Sequence, residues 1–261
     1  MSRRAYLTQA HGQVHYRQAG NPEGPALLLL HQAPSQSAMY EALMAELEDH
    51  FYLLAPDLPG FGGSDPLGGP SPTIEDYAHV MHVFLAGVAV EKCYVFGHHT
   101  GAAVAVALEH LYPGTAVGMA LSGPALLSDE QRAGLPAAGT LNPADAEGDY
   151  VIDLWQRLRS KDPEAPLPIS QRELISALAA GESYRHAYQA VCDFDCAGAM
   201  ATVQCPTLVF AGDADPLYQA VDQALEVLPD GHKAELAGGE RTYVCERNVD
   251  QVSALLRQYF G

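Results

Sequence analysis

Apolar residues along the chain fall into short uninterrupted runs that alternate with longer stretches of helical periodicity. The runs at 24–32 and 92–97 have strand length and no polar alternation, as expected of strands that are buried on both faces. Two further runs of this kind cover 51–66, where the strand passes into a Pro- and Gly-rich turn, and 115–125. Helical patterns lie between them, at 73–88 and 102–114. This alternation predicts a mostly parallel sheet covered by helices.

The predicted helices carry recognisable start and stop signals. Thr73 is followed three residues later by Asp76, which makes an approximate capping box at the start of the first helix. Pro113 and Gly114 end the alanine-rich helix that begins after residue 101. Both boundaries therefore follow from residue chemistry as well as from periodicity.

The alternation stops between residues 124 and 200, where helical segments separated by Pro and Gly replace the strand runs. It resumes with a strand from 206, a helix at 217–229, a short strand and a closing helix. We therefore predict an α/β core in two parts, 1–123 and 201–261, interrupted by a helical cap at 124–200.

Composition and charge narrow the classes of partner. The 261 residues are 48% hydrophobic and carry a formal charge of -18, so nucleic acid and anionic membranes are unfavourable partners for lack of clustered Lys and Arg. No apolar run has the length of a membrane span, and the first residues lack the apolar stretch of a signal peptide. We expect a cytoplasmic protein that acts on a small molecule; a homodimer stays open. The five cysteines show no metal spacing and are expected to be reduced and mostly buried.

Five short motifs follow the predicted strands in a fixed order: "HQAPSQS", "DLPGFGGSD", "GHHTG", "GDADP" and "GGE". Each motif alone is weak, but their order over essentially the whole chain resembles the α/β-hydrolase superfamily. The resemblance implies the α/β-hydrolase fold, a mostly parallel twisted sheet of about eight strands flanked by helices, with a helical cap insertion. It also implies that "GHHTG" is the sharp strand-to-helix turn that raises a nucleophile above the sheet.

The resemblance implies an unusual set of catalytic residues. His99 falls on the raised position of the turn, and the small residues that the turn needs are kept around it. Asp215 matches the family's acid, with Asp213 as the second choice. Glu240 stands where the family carries its C-terminal histidine. The familiar serine and histidine mechanism is therefore not available by carry-over.

The same resemblance places an oxyanion hole at the backbone N–H groups of Thr100 and Ala33. Gln32 adds a side chain with a donor and an acceptor to that pocket. His31 belongs to the same loop, where a buried, hydrogen-bonded structural histidine is favoured over a direct part in the chemistry.

These residues favour a cofactor-free enzyme that acts on a small carbonyl or ester-type substrate. In this hypothesis His99 is a general acid/base, or less favourably a nucleophile, oriented by Asp215 and Glu240. Lyase chemistry or other proton transfer would need only this histidine and the oxyanion hole. Two alternatives stay open: a ligand-binding relative without turnover, and a metal site built from the imidazole and the two carboxylates.

Overall fold

The computed structural model describes residues 2–69, 71–236 and 241–261. Its centre is an eight-stranded sheet in the order β1-β2-β4-β3-β5-β6-β7-β8. The strands are β1 Arg3–Gln9, β2 Gly12–Ala19, β3 Ala26–Leu30, β4 Tyr52–Pro56, β5 Cys93–His98, β6 Ala116–Ser122, β7 Thr207–Phe210 and β8 Gly231–Lys233. The pairs β1 with β2 and β2 with β4 are antiparallel, and all other neighbours in the sheet are parallel. The predicted mostly parallel sheet is therefore confirmed.

Helices cover both faces of the sheet. On one face, α1 Glu41–Leu47 and α11 Val249–Phe260 pack into one apolar cluster. The other face is covered by α2 Ile74–Gly87, α3 Thr100–Leu111 and α9 Ala220–Val227. A short 3-10 helix, Ser37–Tyr40, precedes α1, and α10 Val244–Arg247 precedes α11. Because both faces are covered, the apolar run of β3 is buried almost throughout, as its lack of alternation predicts.

The start of α2 shows how the sequence sets an element boundary. The Thr73 hydroxyl accepts the backbone N–H of Asp76, and the Asp76 carboxylate accepts the backbone N–H of Thr73. The predicted capping box is thus present, and it satisfies two N–H groups that a helix start leaves without intrahelical partners.

Between β6 and β7 the chain forms only helices: α4 Asp129–Ala138, α5 Asp149–Lys161, α6 Leu167–Ala180, α7 Glu182–Asp193 and α8 Cys196–Met200. Charged contacts tie them to the core. Arg172 on α6 donates two hydrogen bonds to Glu246 on α10, at 2.5 and 2.7 Å. Arg247 donates to Asp162 at 2.5 Å. The two-pronged contact between Arg172 and Glu246 fixes orientation as well as distance, so α6 is held against α10.

The remaining fold-level expectations have different outcomes. All five cysteines are buried and free of disulfides. Within the described ranges, none of the helices combines the length and apolar character that crossing a bilayer requires. The limits 1–123, 124–200 and 201–261 stay a prediction.

Candidate active site

The turn between β5 and α3 raises one side chain above the sheet. His99 lies between the two elements with φ 50° and ψ -110°, a combination that costs a non-glycine residue on the order of 1–3 kcal/mol. Gly101 allows the turn, because a Cβ there would lie 2.0 Å from the Leu30 carbonyl oxygen. The His99 N–H donates to the Ser122 carbonyl at 2.9 Å. The strained residue is therefore held by close backbone packing on both sides.

The His99 imidazole makes direct contact with the acid that follows β7. Its Nε2 lies 2.8 Å from Oδ2 of Asp215, whose side chain is fully buried. Burial acts to raise the pKa of Asp215, but the interaction with His99, the nearby His98 and the hydrogen bond from the Leu217 N–H together lower it overall. An ionised carboxylate only accepts hydrogen bonds, so Nε2 carries the proton. In the neutral ring, Nδ1 then holds the lone pair.

The other Asp215 oxygen and the other His99 nitrogen complete the geometry of this pair. Asp215 Oδ1 accepts the backbone N–H of Leu217 at 2.8 Å, which fixes the carboxylate plane. Nδ1 of His99 has no hydrogen-bond partner among the described residues. The ring lines a cavity and its side chain is 16% exposed. Within the described ranges, this nitrogen is therefore not committed to another group.

Gly123, directly after β6, makes room for the imidazole. It has φ +60°, and a Cβ at this position would lie 2.4 Å from His99 Cδ2 and 2.6 Å from Nε2. No side chain fits in that space unless the ring moves. Gly123 therefore sets the position from which His99 reaches Asp215.

Replacing Gly123 by alanine is expected to displace the imidazole and to lower kcat/KM by about 10- to 100-fold, since displacements near 1 Å at a catalytic group have such effects. The positive φ adds a cost in stability. The activity is measured alongside the thermal unfolding midpoint. Gly68→Ala is the matched control, because a Cβ there meets no atom within 4 Å; equal activities of the two variants would contradict the role of Gly123.

His98, which the motifs did not single out, packs against His99 and helps to hold its ring in place. Its ring stacks on that of His99 with centroids 4.1 Å apart. Nε2 donates to the Thr242 carbonyl at 2.8 Å, so Nδ1 accepts the Ser122 hydroxyl at 3.0 Å. Burial lowers the pKa of His98 to about 3. This histidine is therefore neutral at physiological pH and acts as a spacer between two loops.

The backbone groups predicted to form the oxyanion hole lie beside His99. Thr100 begins α3, so its N–H has no carbonyl acceptor within its own helix. The Ala33 N–H donates to the Thr100 hydroxyl at 3.3 Å, longer than a typical N–H···O bond. Ala33 and Thr100 line the same cavity as His99. The Thr100 N–H is thus without an intrahelical acceptor next to the imidazole, and the Ala33 N–H would have to exchange its long bond to the Thr100 hydroxyl for one to a developing negative charge.

His31 is placed elsewhere than its loop neighbours. It is completely buried, and it does not belong to the described lining of the cavity. Its Nδ1 donates to the Gln32 carbonyl and its Nε2 accepts the Leu58 N–H, both at 2.8 Å. Burial lowers the pKa of His31. Both ring nitrogens are used by backbone groups, so this histidine supports the loop, as favoured from the sequence, and does not reach the substrate space.

Gln32 does reach the cavity, where it holds the segment that follows Glu240. Its Oε1 accepts the hydroxyl of Thr242 at 3.1 Å, and both residues line the cavity. Thr242 is fixed from the other side by His98. Glu240 itself lies outside the described residues, and its part in the site stays a prediction.

The cavity above His99 has a volume of about 340 Å³, within the range of small-molecule sites. Its walls are largely apolar, and part of them comes from the segment between β6 and β7, which contributes Leu127, Leu135 and Val191. The polar groups cluster at His99, Thr100 and Gln32. Lys161 and Tyr188 add a second polar region that the sequence analysis missed.

No group of three His, Cys, Asp or Glu side chains suited to a metal occurs in the described ranges. The metal hypothesis needs Glu240 as its third ligand and so falls outside those ranges. Among the predicted residues, the structure brings together His99, Asp215, Ala33, Thr100 and Gln32.

Solved structures share this architecture over nearly their full length. A malate-bound thermophilic esterase from Thermogutta terrifontis superimposes with a TM-score of 0.81 and 21% identity, over 99% of this chain and 98% of the esterase. An enol-lactonase from Burkholderia xenovorans LB400 gives a TM-score of 0.81 and 19% identity, over 98% and 99% of the two chains. At these identities the likeness shows the fold alone.

The sequence is similar to a curated relative and to a family model. Haloalkane dehalogenase 2 of Mycobacterium tuberculosis is 29% identical over 103 residues, which are 40% of this chain and only about a third (35%) of that relative. The family model described as serine aminopeptidase, S33, matches residues 22–233. That match spans most of the chain and includes both the turn at His99 and Asp215. The chain therefore belongs to the serine aminopeptidase S33 family, a hydrolase family with the α/β-hydrolase fold.

Proposed function

We propose that this protein hydrolyses a small ester or related acyl compound without a serine nucleophile, with His99 as the general base. The observation that carries the proposal is the 2.8 Å contact between His99 Nε2 and Asp215, which leaves Nδ1 as the basic atom of a ring that lines the cavity. In a serine hydrolase the histidine lies between the acid and the serine. Here the residue raised by the turn between β5 and α3 is itself a histidine, so a water molecule takes the place of the serine hydroxyl.

The reaction follows from these positions. Nδ1 takes a proton as the water oxygen attacks the carbonyl carbon, and Asp215 stabilises the imidazolium that forms. The N–H groups of Ala33 and Thr100 hold the oxyanion of the tetrahedral intermediate. When the bond to the leaving group breaks, Nδ1 returns the proton to the departing oxygen. Glu240 is proposed as a second carboxylate near the imidazole.

Membership of a hydrolase family favours hydrolysis over lyase chemistry, which the same proton transfers could serve. The curated dehalogenase and the esterase and lactonase structures are similar proteins. They suggest ester, lactone and halocarbon substrates as the panel to test first. The chain spans a minor part of its curated relatives, so the panel stays broad.

The test combines turnover with chemical labelling. Methyl esters and lactones with four to eight carbons are screened by pH-stat, with and without prior treatment with a fluorophosphonate that labels activated serines. We expect hydrolysis that the reagent does not inhibit, and an intact protein mass without an adduct or an accumulating acyl enzyme. Stoichiometric labelling with loss of activity would contradict the proposal, and peptide mapping would then identify the nucleophile, with Thr100 as the first residue to inspect. A fluorophosphonate-sensitive serine esterase serves as the positive control.

A further inference from the structure

The cavity contains a charged group that the proposed reaction does not use. Lys161, the last residue of α5, lines the cavity wall. The described lining residues include this one lysine and no carboxylate. Its neighbour in sequence, Asp162, bonds to Arg247 at 2.5 Å. Thus no carboxylate pairs with the ammonium within the described part of the chain.

Two tyrosines hold the ammonium in place. Nζ donates to the hydroxyl of Tyr188 at 3.1 Å and to that of Tyr184 at 3.3 Å. Burial raises the pKa of Tyr184, so its phenol is neutral at physiological pH. Burial acts to lower the pKa of Lys161, and the hydrogen bonds that its ammonium donates to the neutral phenol oxygens oppose this effect by favouring the charged form. With both phenol oxygens accepting from it, Nζ is held in place as a hydrogen-bond donor.

One of the three ammonium protons of Lys161 has no acceptor among the described residues. Tyr184 donates to Tyr188 at 3.3 Å, and Tyr188 donates to the Ala33 carbonyl at 3.2 Å. An ammonium has three protons, and the described hydrogen bonds use two of those of Lys161. The oxygen of Tyr188 accepts two bonds and gives one, so it has no capacity left. The third ammonium proton is the unused donor.

The same chain of bonds limits the distance from Lys161 to the Ala33 carbonyl. Nζ lies 3.1 Å from the Tyr188 oxygen, which lies 3.2 Å from the Ala33 carbonyl oxygen. Nζ is therefore no further from that oxygen than the sum of these two distances. Ala33 also supplies an expected oxyanion-hole N–H. A substrate with its carbonyl at Ala33 places atoms a few bonds away beside the ammonium.

We propose that Lys161 binds a carboxylate of the substrate, so that the preferred substrates are short-chain carboxylic acids that carry a second, hydrolysable acyl group. This inference rests on the proposed function and names its substrate class. A single cation with one free donor suits a monoanionic carboxylate better than a phosphate dianion, which needs several donors. Because the protein carries a formal charge of -18, general attraction of anions does not explain such a preference, and a local cation is required.

The first test is binding, which does not depend on turnover. Glutarate and its uncharged analogue glutaramide are titrated calorimetrically into wild type and into His99→Ala. We expect glutarate to bind at least about tenfold more tightly than glutaramide to both proteins, because a hydrogen bond to a charged group contributes a factor of this size. Lys161→Met should lose this preference. Lys92→Met, which removes an exposed lysine far along the chain, should keep it.

The second test uses matched substrates. The kcat/KM ratio of monomethyl glutarate to methyl pentanoate should exceed about tenfold in wild type and fall toward one in Lys161→Met, with the change mainly in KM. If no ester is hydrolysed while glutarate binding still depends on Lys161, only the proposed reaction fails. Equal glutarate binding by wild type and Lys161→Met overturns the assignment of Lys161. If Lys161→Met does not fold, Lys161→Gln replaces it, and absence of a glutarate preference in wild type overturns the assignment without any variant.

Discussion

Replacing His99 by alanine should reduce kcat/KM for any ester substrate by about 10³-fold or more, because it removes the base that activates water.

Asp215→Asn should reduce kcat by about 10²- to 10⁴-fold, since a neutral amide no longer stabilises the imidazolium and no longer fixes the proton on Nε2. The 2.8 Å contact in the structure joins these two groups, so the double variant should lose little more than the worse single variant. Initial rates by pH-stat, with unfolding midpoints measured in parallel, check all three.

Asp213→Asn is the matched control for the acid. Asp213 lies in the same loop two residues earlier and was the second choice from the sequence, but it is exposed whereas Asp215 is buried. We expect its activity to stay within about twofold of wild type, as is usual for exposed substitutions away from the reacting atoms. Full activity of His99→Ala would remove the catalytic interpretation and favour a ligand-binding relative. Loss of activity in Asp213→Asn together with an active Asp215→Asn would exchange the roles of the two acids.

The sheet was predictable because its signals are local. The apolar run of β3 and the capping box at Thr73 each depend on residues a few positions apart, which is the range over which periodicity and caps act. The motif "GHHTG" marks the turn at His99 for the same reason. Asp215 required more, namely the order of the strands, because it lies 116 residues away in sequence.

Other parts of the site depend on geometry that no local pattern encodes. Lys161 lines the cavity only because the helices between β6 and β7 pack in one particular orientation, and in the sequence it is simply the basic end of an amphipathic helix. His98 has the same residue type as its neighbour His99, yet its ring turns into the core and bonds Thr242, 144 residues away. His31 occupies a motif position, but two backbone groups saturate its nitrogens. Such hydrogen-bond partners are assigned by tertiary structure.

The buried histidines should make the protein lose stability in mild acid. In the unfolded chain His98 binds a proton below its ordinary pKa of 6.5, whereas burial lowers its pKa in the folded protein to about 3. Between these values the unfolded state binds more protons, so stability falls as pH falls from 6.5 toward 3. The loss from His98 alone is roughly 2–3 kcal/mol between pH 6.5 and 4.5, at 1.36 kcal/mol for each pH unit. His31, whose pKa is also lowered by burial, adds to the slope.

The pH range separates this effect from that of the carboxylates. The pKa values of Asp57 and Asp215 are lowered in the folded protein, so the stability that they contribute is present above their unfolded values and is lost only as pH falls through the folded ones. Burial raises the pKa of Glu173, so this group changes stability in the opposite direction in the same range. The contribution of His98 is therefore taken from the difference between wild type and His98→Gln in urea unfolding at pH 7.0, 6.0, 5.0 and 4.5. His98→Gln keeps an amide donor for the Thr242 carbonyl and has no titrating ring. This variant should reduce the slope of the free energy of unfolding against pH by the contribution of one proton, about 1.36 kcal/mol per pH unit below pH 6. An unchanged slope in this variant would show that His98 is protonated in the folded protein, and its contact with the Thr242 carbonyl would then be that of a cation held under His99.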